Sequence, residues 1–316
     1  MMARAIAQRI LAVIPVMLGV AIVSFFMIRL IPGDIVDTIM GTEYADPELE
    51  ARLREYYGIN TPWYEQFATW FGNVLTGDLG TSYRTGRPVI DEIMTRFPST
   101  LELAVTALVV SVAIALPLGV LSATRRNGPL DAGARIVSLL GLSIPNFWFG
   151  ILLINLFSVD RRWFPSGGSS DFAFSWEHFQ YLVLPAVTLG TSLAAVTMRM
   201  TRSSMLEVLG QDYIRTARSK GLSQGTVVRV HGLRNALIPV VTVVGIQAGA
   251  LLGGTVVVEQ VFSWPGLGTL VVQSIGNRDY AMVQGSVLFL AAFYVLVSLI
   301  VDIVYLFLDP RLRHRG

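Results

Sequence analysis

Nucleotide chemistry is the first possibility this sequence raises, and one residue decides against it. A phosphate-cradling GxxxxGK[ST] loop places a lysine after a glycine so that the lysine reaches the terminal phosphates. Lys220 is the only lysine in the 316 residues, and Ser219 precedes it. Metal and thiol chemistry lack their ligands: there is no cysteine, and no HExxH pair occurs. The three histidines, His178, His231 and His314, lie far apart in the chain. Ser143 and Ser192 stand in Gly-x-Ser contexts, as a nucleophilic serine can, but no histidine lies within an uncharged stretch to activate either. The chain is read as no enzyme, with no catalytic residue, cofactor or metal of its own.

Ion coupling would need carboxylates at membrane depth. Glu102, Glu259 and Asp302 come nearest, and each lies at the end of an apolar run; Ile303 to Leu308 continue apolar beyond Asp302. All three read first as interface residues, and the halves of the chain show no repeat of the kind many secondary carriers have. A self-contained ion-coupled transporter or channel is the alternative reading. Asn146, Asn155 and Gln247 are polar groups inside apolar runs. They are candidate pathway residues, although each could equally bond a neighbouring helix.

The segment 199–236 is basic, and helix-forming patterns flank Gly221. A glycine there can end a short helix running from about Asp212 to Lys220. Lying across one mouth of the protein, such a helix is where a soluble partner could push. Anionic-lipid contact or simple charge anchoring would produce the same composition.

The elements that position these residues follow from charge spacing. Hydrophobic residues make up 53% and charged residues 15% of the chain, with a mean hydropathy of +0.58. Soluble domains carry about 25% charged residues. Six stretches without Asp, Glu, Lys, Arg or His, at 10–28, 103–124, 136–159, 179–198, 235–258 and 280–301, are long enough to cross a bilayer. Each approaches or exceeds the roughly 20 residues needed for a core of about 30 Å. The first is longer than a signal-peptide core and lacks a clear small-residue cleavage site, so it reads as a retained span. With the N-terminus inside, the inner segments hold fifteen of the 24 basic residues, against Arg161, Arg162 and Arg278 in the short outer loops. Both termini are therefore expected in the cytoplasm. The fold class expected is all-α: a polytopic membrane protein of six transmembrane helices.

Three units follow: 1–31 with the first helix, 32–98 as a small extracytoplasmic subdomain, and 99–316 as the membrane core. Within the subdomain, Asp46-Pro47 and Thr61-Pro62 read as helix starts, with Gly58 ending the first helix. Leu49, Leu53 and Tyr57 share one face of that helix; Trp63, Phe67, Trp70 and Phe71 form an aromatic stripe on the next. The stripe reads as packing before ligand binding. Ser99-Thr100-Leu101-Glu102 reads as a capping box at the head of the second span. Gly245, Gly249 and Gly253, four apart, offer a face for close helix approach. Prolines within or near spans, Pro15, Pro117, Pro145, Pro185 and Pro239, are a weak sign of kinks.

Against this frame the 199–236 segment resembles the cytoplasmic EAA loop of bacterial binding-protein-dependent importers, in particular the dipeptide, oligopeptide and nickel group of ABC transporter permeases. The EAA-x3-G pattern falls on Arg215-Thr216-Ala217 and Gly221: the last alanine and the glycine match, and RTA is the form associated with the peptide group. Pro239 lies further from Gly221 than the general pattern has it, and His231 to Pro239 resembles the peptide group's own version. GDLGTSYRTGRPV (77–89), VVVEQVFSWPGLG (256–268), RDY (278–280) and DPRLR (309–313) resemble further family motifs in order along nearly the whole chain. The resemblance implies a type I importer permease fold in the bacterial inner membrane. It also implies a second, different permease as pairing partner, two cytoplasmic ABC ATPases that carry ATP and magnesium, and an extracytoplasmic solute-binding protein; no nucleic acid is involved. Asp212, Tyr213, Arg215, Thr216, Ala217 and Gly221 would then couple to an ATPase, and the subdomain would help receive the binding protein. Dipeptides, oligopeptides, glutathione and nickel complexes all remain open as substrates.

Overall fold

The computed structural model describes residues 2–30, 35–40, 47–56, 59–170 and 175–308. Expectations that rest on Asp46, Tyr57, Gly58, the 309–313 ending or His314 lie outside the described residues, as does the side chain of Asp302. The described residues are helical throughout their ordered elements, with one isolated antiparallel bridge between Thr81 and Pro88.

Helix α1 spans Met2–Arg29, and the short helices α2 (Ile35–Met40), α3 (Pro47–Tyr56) and α4 (Trp63–Leu75) follow. The aromatic stripe of α4 packs on the end of α1: the Phe67 and Trp70 rings lie 5.1 and 5.5 Å from the buried Phe25 ring. Phe71 stacks on Phe67 at 5.6 Å. Phe67, Trp70 and Phe71 therefore serve packing.

Helix α5 runs Val89–Thr124, 36 residues. At 1.5 Å per residue that is about 54 Å, far longer than the membrane core. It starts ten residues before Ser99, so the expected capping box at Ser99–Glu102 is not a helix start. Pro98 sits inside the helix, and Thr100 and Glu102 bond to other elements instead (below). Proline does not break the helix because its outer turns are held by tertiary contacts: Val89 and Ile93 are buried against Leu267 and Met282.

The third apolar run is not one straight span, contrary to the expectation for 136–159. Helix α6 (Pro129–Ser143) and α7 (Asn146–Leu153), which continues as a π-helical stretch Ile154–Asp160, bend by 105° at their junction. The cause is local. Ile144 precedes Pro145 and is extended (φ −84°, ψ 123°), as steric clash with a following proline ring requires.

Helix α8 (Trp176–Leu209) is capped by Ser175, whose Oγ accepts the His178 N–H at 3.1 Å. It packs against α5 along a seam of small residues. A Cβ on Gly119 would meet Thr201 at 2.7 Å, and one on Gly190 would meet Val110 at 2.7 Å. In lipid there is no hydrophobic drive between helices, so such close backbone approach supplies the van der Waals contact that holds them. Beyond α8 come α9 (Asp212–Ser219), α10 (Gln224–Thr226), a π-helical stretch Val227–Leu233, α11 (Arg234–Val261), α12 (Leu267–Gly276) and α13 (Tyr280–Leu308). On α11, Gly245 lies against Val301 and Gly249 against Tyr294 of α13, but nothing approaches Gly253.

Among the described residues, four helical stretches, 89–124, 176–209, 224–251 and 280–301, are long and apolar enough to cross a membrane. The bent pair α6–α7 passes the same test as one broken span, and α1 carries a shorter apolar stretch, Leu11–Met27. The chain is a multi-pass membrane protein.

Candidate functional site

Helix α9 is amphipathic because its two apolar residues fall three apart. Ile214 is fully buried and Ala217 nearly so, both against Val227 and Leu209. Asp212, Arg215, Thr216 and Arg218 are exposed, and Tyr213 is 43% exposed. Asp212 in the first turn and Arg218 in the last each complement the helix dipole. Arg215 Nη1 donates to Asp212 Oδ1 at 3.3 Å, and Thr216 Oγ1 donates to the Asp212 carbonyl at 3.1 Å.

Gly221 ends the helix in the left-handed region, φ +79°. Its N–H bonds the Arg218 carbonyl at 2.9 Å. Nothing lies within 4 Å of where its Cβ would be, so backbone conformation rather than space calls for glycine here. The predicted helix and its glycine stop are both present.

Two links join α9 to the membrane helices. Tyr213 Oη accepts from Asn235 Nδ2 at 3.0 Å, and Asn235 also bonds the His231 carbonyl at 3.0 Å. Ile214 and Ala217 pack on Leu209, the last residue of α8. Gly232 allows the π-helical entry to α11 to pass close to the same place, with Leu209 and Met205 at 3.3 and 3.4 Å from its Cβ position. A push on α9 therefore reaches α8 and α11 together. Of the six candidate residues, Ala217 and Gly221 shape the projection, Tyr213 ties it down, and Asp212, Arg215 and Thr216 form its outer face.

The three candidate pathway residues occupy different settings. Gln247 is buried and bonded to α8: its Nε2 donates to the Leu193 carbonyl at 3.1 Å, and its Oε1 accepts from Thr197 Oγ1 at 2.8 Å. This geometry is that of a residue bonding a neighbouring helix. Asn146 opens α7 and lines an apolar cavity of about 220 Å³ between α5, α6, α7 and α8. Asn155 is exposed on the π-helical stretch.

Sequence reasoning missed three polar clusters. The carboxylate of Glu259, at the end of α11, is fully buried at the start of α12. It accepts from Thr100 Oγ1 at 2.8 Å and from the Thr269 N–H at 3.0 Å, while Thr100 Oγ1 accepts the Leu267 N–H at 2.7 Å. Trp264 Nε1 bonds the Ser99 carbonyl at 2.9 Å. The WPGLG string makes this possible, since a Cβ on Gly266 would meet the Glu259 carboxylate at 2.3 Å. Glu102 of the supposed capping box bonds His178 Nε2 at 2.7 Å.

The second cluster joins two motifs. Ser82 Oγ donates to Asp279 Oδ2, and Tyr83 Oη donates to the Asn277 carbonyl. Burial first, and then the Asp279 carboxylate, hold the Tyr83 phenol above its ordinary pKa. Asp279 Oδ1 in turn accepts the Met282 N–H at 3.2 Å at the start of α13.

The third cluster lies at the other end of the bundle. Asp131 of α6 has no exposed surface, and Arg202 of α8 holds it with two bonds, Nε–Oδ1 at 2.7 Å and Nη2–Oδ2 at 3.0 Å. Ser122 Oγ of α5 adds a third at 2.6 Å. Opposite charges flanking apolar runs were the only sequence signal for this pair.

Comparison with known proteins adds kinship to this geometry. Residues 115–314 match the family described as binding-protein-dependent transport system inner membrane component, and residues 2–104 match the N-terminal family of the same systems' membrane components. The chain is 44% identical over 331 residues to the di/tripeptide transport system permease protein DppB of Pseudomonas aeruginosa (strain UCBPP-PA14), covering 98% of each chain. It is 43% identical over 310 residues to the glutathione transport system permease protein GsiC of Salmonella choleraesuis (strain SC-B67), covering 98% of this chain and 99% of that one. Among solved structures, the MetNI methionine ABC transporter in inward-facing conformations aligns with a TM-score of 0.56 at 22% identity. That alignment covers 69% of this chain and 96% of that one, and it bears on the fold alone.

Proposed function

Because the chain belongs to the family of binding-protein-dependent transport system inner membrane components, we propose that it carries small peptides, or a related small solute, through the bacterial inner membrane. It is a permease subunit of an importer and not an enzyme, which sets aside the self-contained ion-coupled carrier. The single observation that carries the coupling part of the proposal is α9: a short, polar-faced helix, ended by Gly221, that touches α8 and α11 at once.

In this reading α9 seats in a groove of a cytoplasmic ABC ATPase, and ATP and magnesium are bound there, on the partner. Closure of two ATPases displaces α9, and α8 and α11 move with it, which gives the two-state element that alternating access requires. A second permease supplies the other half of the pathway. The segment 32–98 faces outward, where a solute-binding protein delivers the substrate, and both termini are cytoplasmic with six crossings in all. End-to-end likeness to di/tripeptide and glutathione permeases supports a short peptide as substrate.

The test is uptake of labelled di- and tripeptides and of glutathione by cells lacking this gene. The wild-type chain should restore uptake of at least one of them. Gly221→Trp should reach the membrane in normal amount yet restore none, because a large side chain at φ +79° reshapes the end of α9. Normal uptake by that variant would sink the assignment of α9.

A further inference from the structure

A cavity of about 340 Å³ opens between α6 and α8, apart from the apolar cavity at Asn146, and no part of the coupling scheme uses it. Its lining is divided by depth. Arg135, Arg199 and Arg202 stand at one end, with Ser122 beside them; Ser138, whose hydroxyl is tied to the Ala195 carbonyl, and Leu139, Leu142 and Met198 line the rest. Helix α6 runs into the membrane from Pro129, so Leu139 and Leu142 lie one and two turns deeper than Arg135. Helix α8 runs the opposite way, so Met198 lies deeper than Arg199 and Arg202. With the orientation proposed above, the basic end is at the cytoplasmic surface and the apolar part is at acyl-chain depth.

The charges do not balance internally. Among the described residues, Asp131 is the one carboxylate that pairs with these arginines, and both its oxygens are already committed, to Arg202, Ser122 and the Asn127 N–H. Arg135 is 3.7 Å from the same carboxylate and is exposed. Arg199 is exposed and makes no ion pair or hydrogen bond among the described residues. Three guanidinium groups against one carboxylate leave positive charge facing a cavity whose other wall is hydrocarbon. A soluble anion would satisfy only the first half of that lining. An amphiphile with an anionic head satisfies both.

We infer that this cavity binds an anionic phospholipid of the cytoplasmic leaflet, with its phosphate at Arg135 and Arg199 and an acyl chain along Leu139, Leu142 and Met198. Arg202 contributes field, but its bonds belong to Asp131. Basic pockets between spans on the cytoplasmic side suit such headgroups, and each basic residue near the surface contributes about fivefold in affinity.

The test is native mass spectrometry of the full-length chain, together with whatever subunits co-purify with it, after exchange from phosphatidylcholine bilayers containing phosphatidylglycerol. The wild type should retain phosphatidylglycerol through detergent washing, and excess inorganic phosphate should not displace it. Arg199→Gln should weaken retention about fivefold, and Arg135→Gln/Arg199→Gln further still. Leu142→Trp, which fills the apolar part and leaves every charge in place, should abolish retention. Arg229→Gln removes one exposed charge from the 199–236 segment and should change nothing. Equal losses for Arg199→Gln and Arg229→Gln would overturn the site in favour of diffuse charge attraction. Retention unchanged in Leu142→Trp would also overturn it, as would a partner chain found seated over Leu139 and Leu142. Lipid retention is read without any transport assay, so its failure is distinct from failure of the peptide-import reading.

Discussion

Arg202 holds Asp131 by two parallel bonds of 2.7 and 3.0 Å, and so fastens α6 to α8 at the end of the bundle nearest α9. The carboxylate is completely buried. Removing it leaves the partly buried Arg202 guanidinium without its partner and beside two further arginines, whereas removing both partners does not. Asp131→Ala should cost about 3 kcal/mol in thermal unfolding of the purified protein. Asp131→Ala/Arg202→Met should recover most of that loss. An unchanged melting temperature in the single variant would contradict the role given to this pair.

Glu259 and Gly266 are matched in shape. A methyl on Gly266 would overlap the carboxylate at 2.3 Å. Gly266→Ala should therefore destabilise by about 1–3 kcal/mol, typical of overpacking. In a Glu259→Ala background the same change should cost much less. A double-mutant cycle on thermal stability measures the difference, and additive effects would mean that the two residues do not meet.

Gly245 and Gly253 look alike in sequence but have opposite surroundings. Val301 lies 2.4 Å from the Cβ position of Gly245, and nothing lies within 4 Å of that of Gly253. Gly245→Ala should destabilise by about 1–3 kcal/mol. Gly253→Ala should be neutral or slightly stabilising, because alanine favours the helix by up to about 1 kcal/mol. Comparable losses at both positions, read by thermal unfolding, would count against the α11–α13 packing.

These residues also show how far the sequence could be read. The limits of α9 were legible because an amphipathic pattern and a left-handed glycine are local signals. The placement of the long apolar helices was likewise legible, since charge is excluded from hydrocarbon. The 105° bend at Ile144-Pro145 was not. Counting uncharged residues measures length and carries no information on direction, and proline alone is common in spans. Ser99 to Glu102 misled for the opposite reason: a valid local cap pattern was overridden because tertiary contacts at Val89 and Ile93 extend α5 past Pro98. Thr100 and Glu102 were then free to bond Glu259 and His178. The pairing of Ser82 with Asp279 crosses 197 residues, and within one sequence nothing ties one motif to the other. Of the glycine triad, periodicity revealed the face but not which of its members a neighbour would reach.

The central claim is that α9 meets a cytoplasmic ATPase, and the absence of native cysteine makes it directly measurable. A single cysteine introduced as Arg215→Cys or Thr216→Cys lies on the exposed face of α9. Glu48→Cys, exposed on α3, serves as the opposite-side control. With a short bifunctional reagent in intact membranes, the α9 cysteines should give an adduct with a Walker-motif ATPase, and Glu48→Cys should give none. An adduct from Glu48→Cys with no adduct from either α9 position would contradict both the orientation and the coupling role.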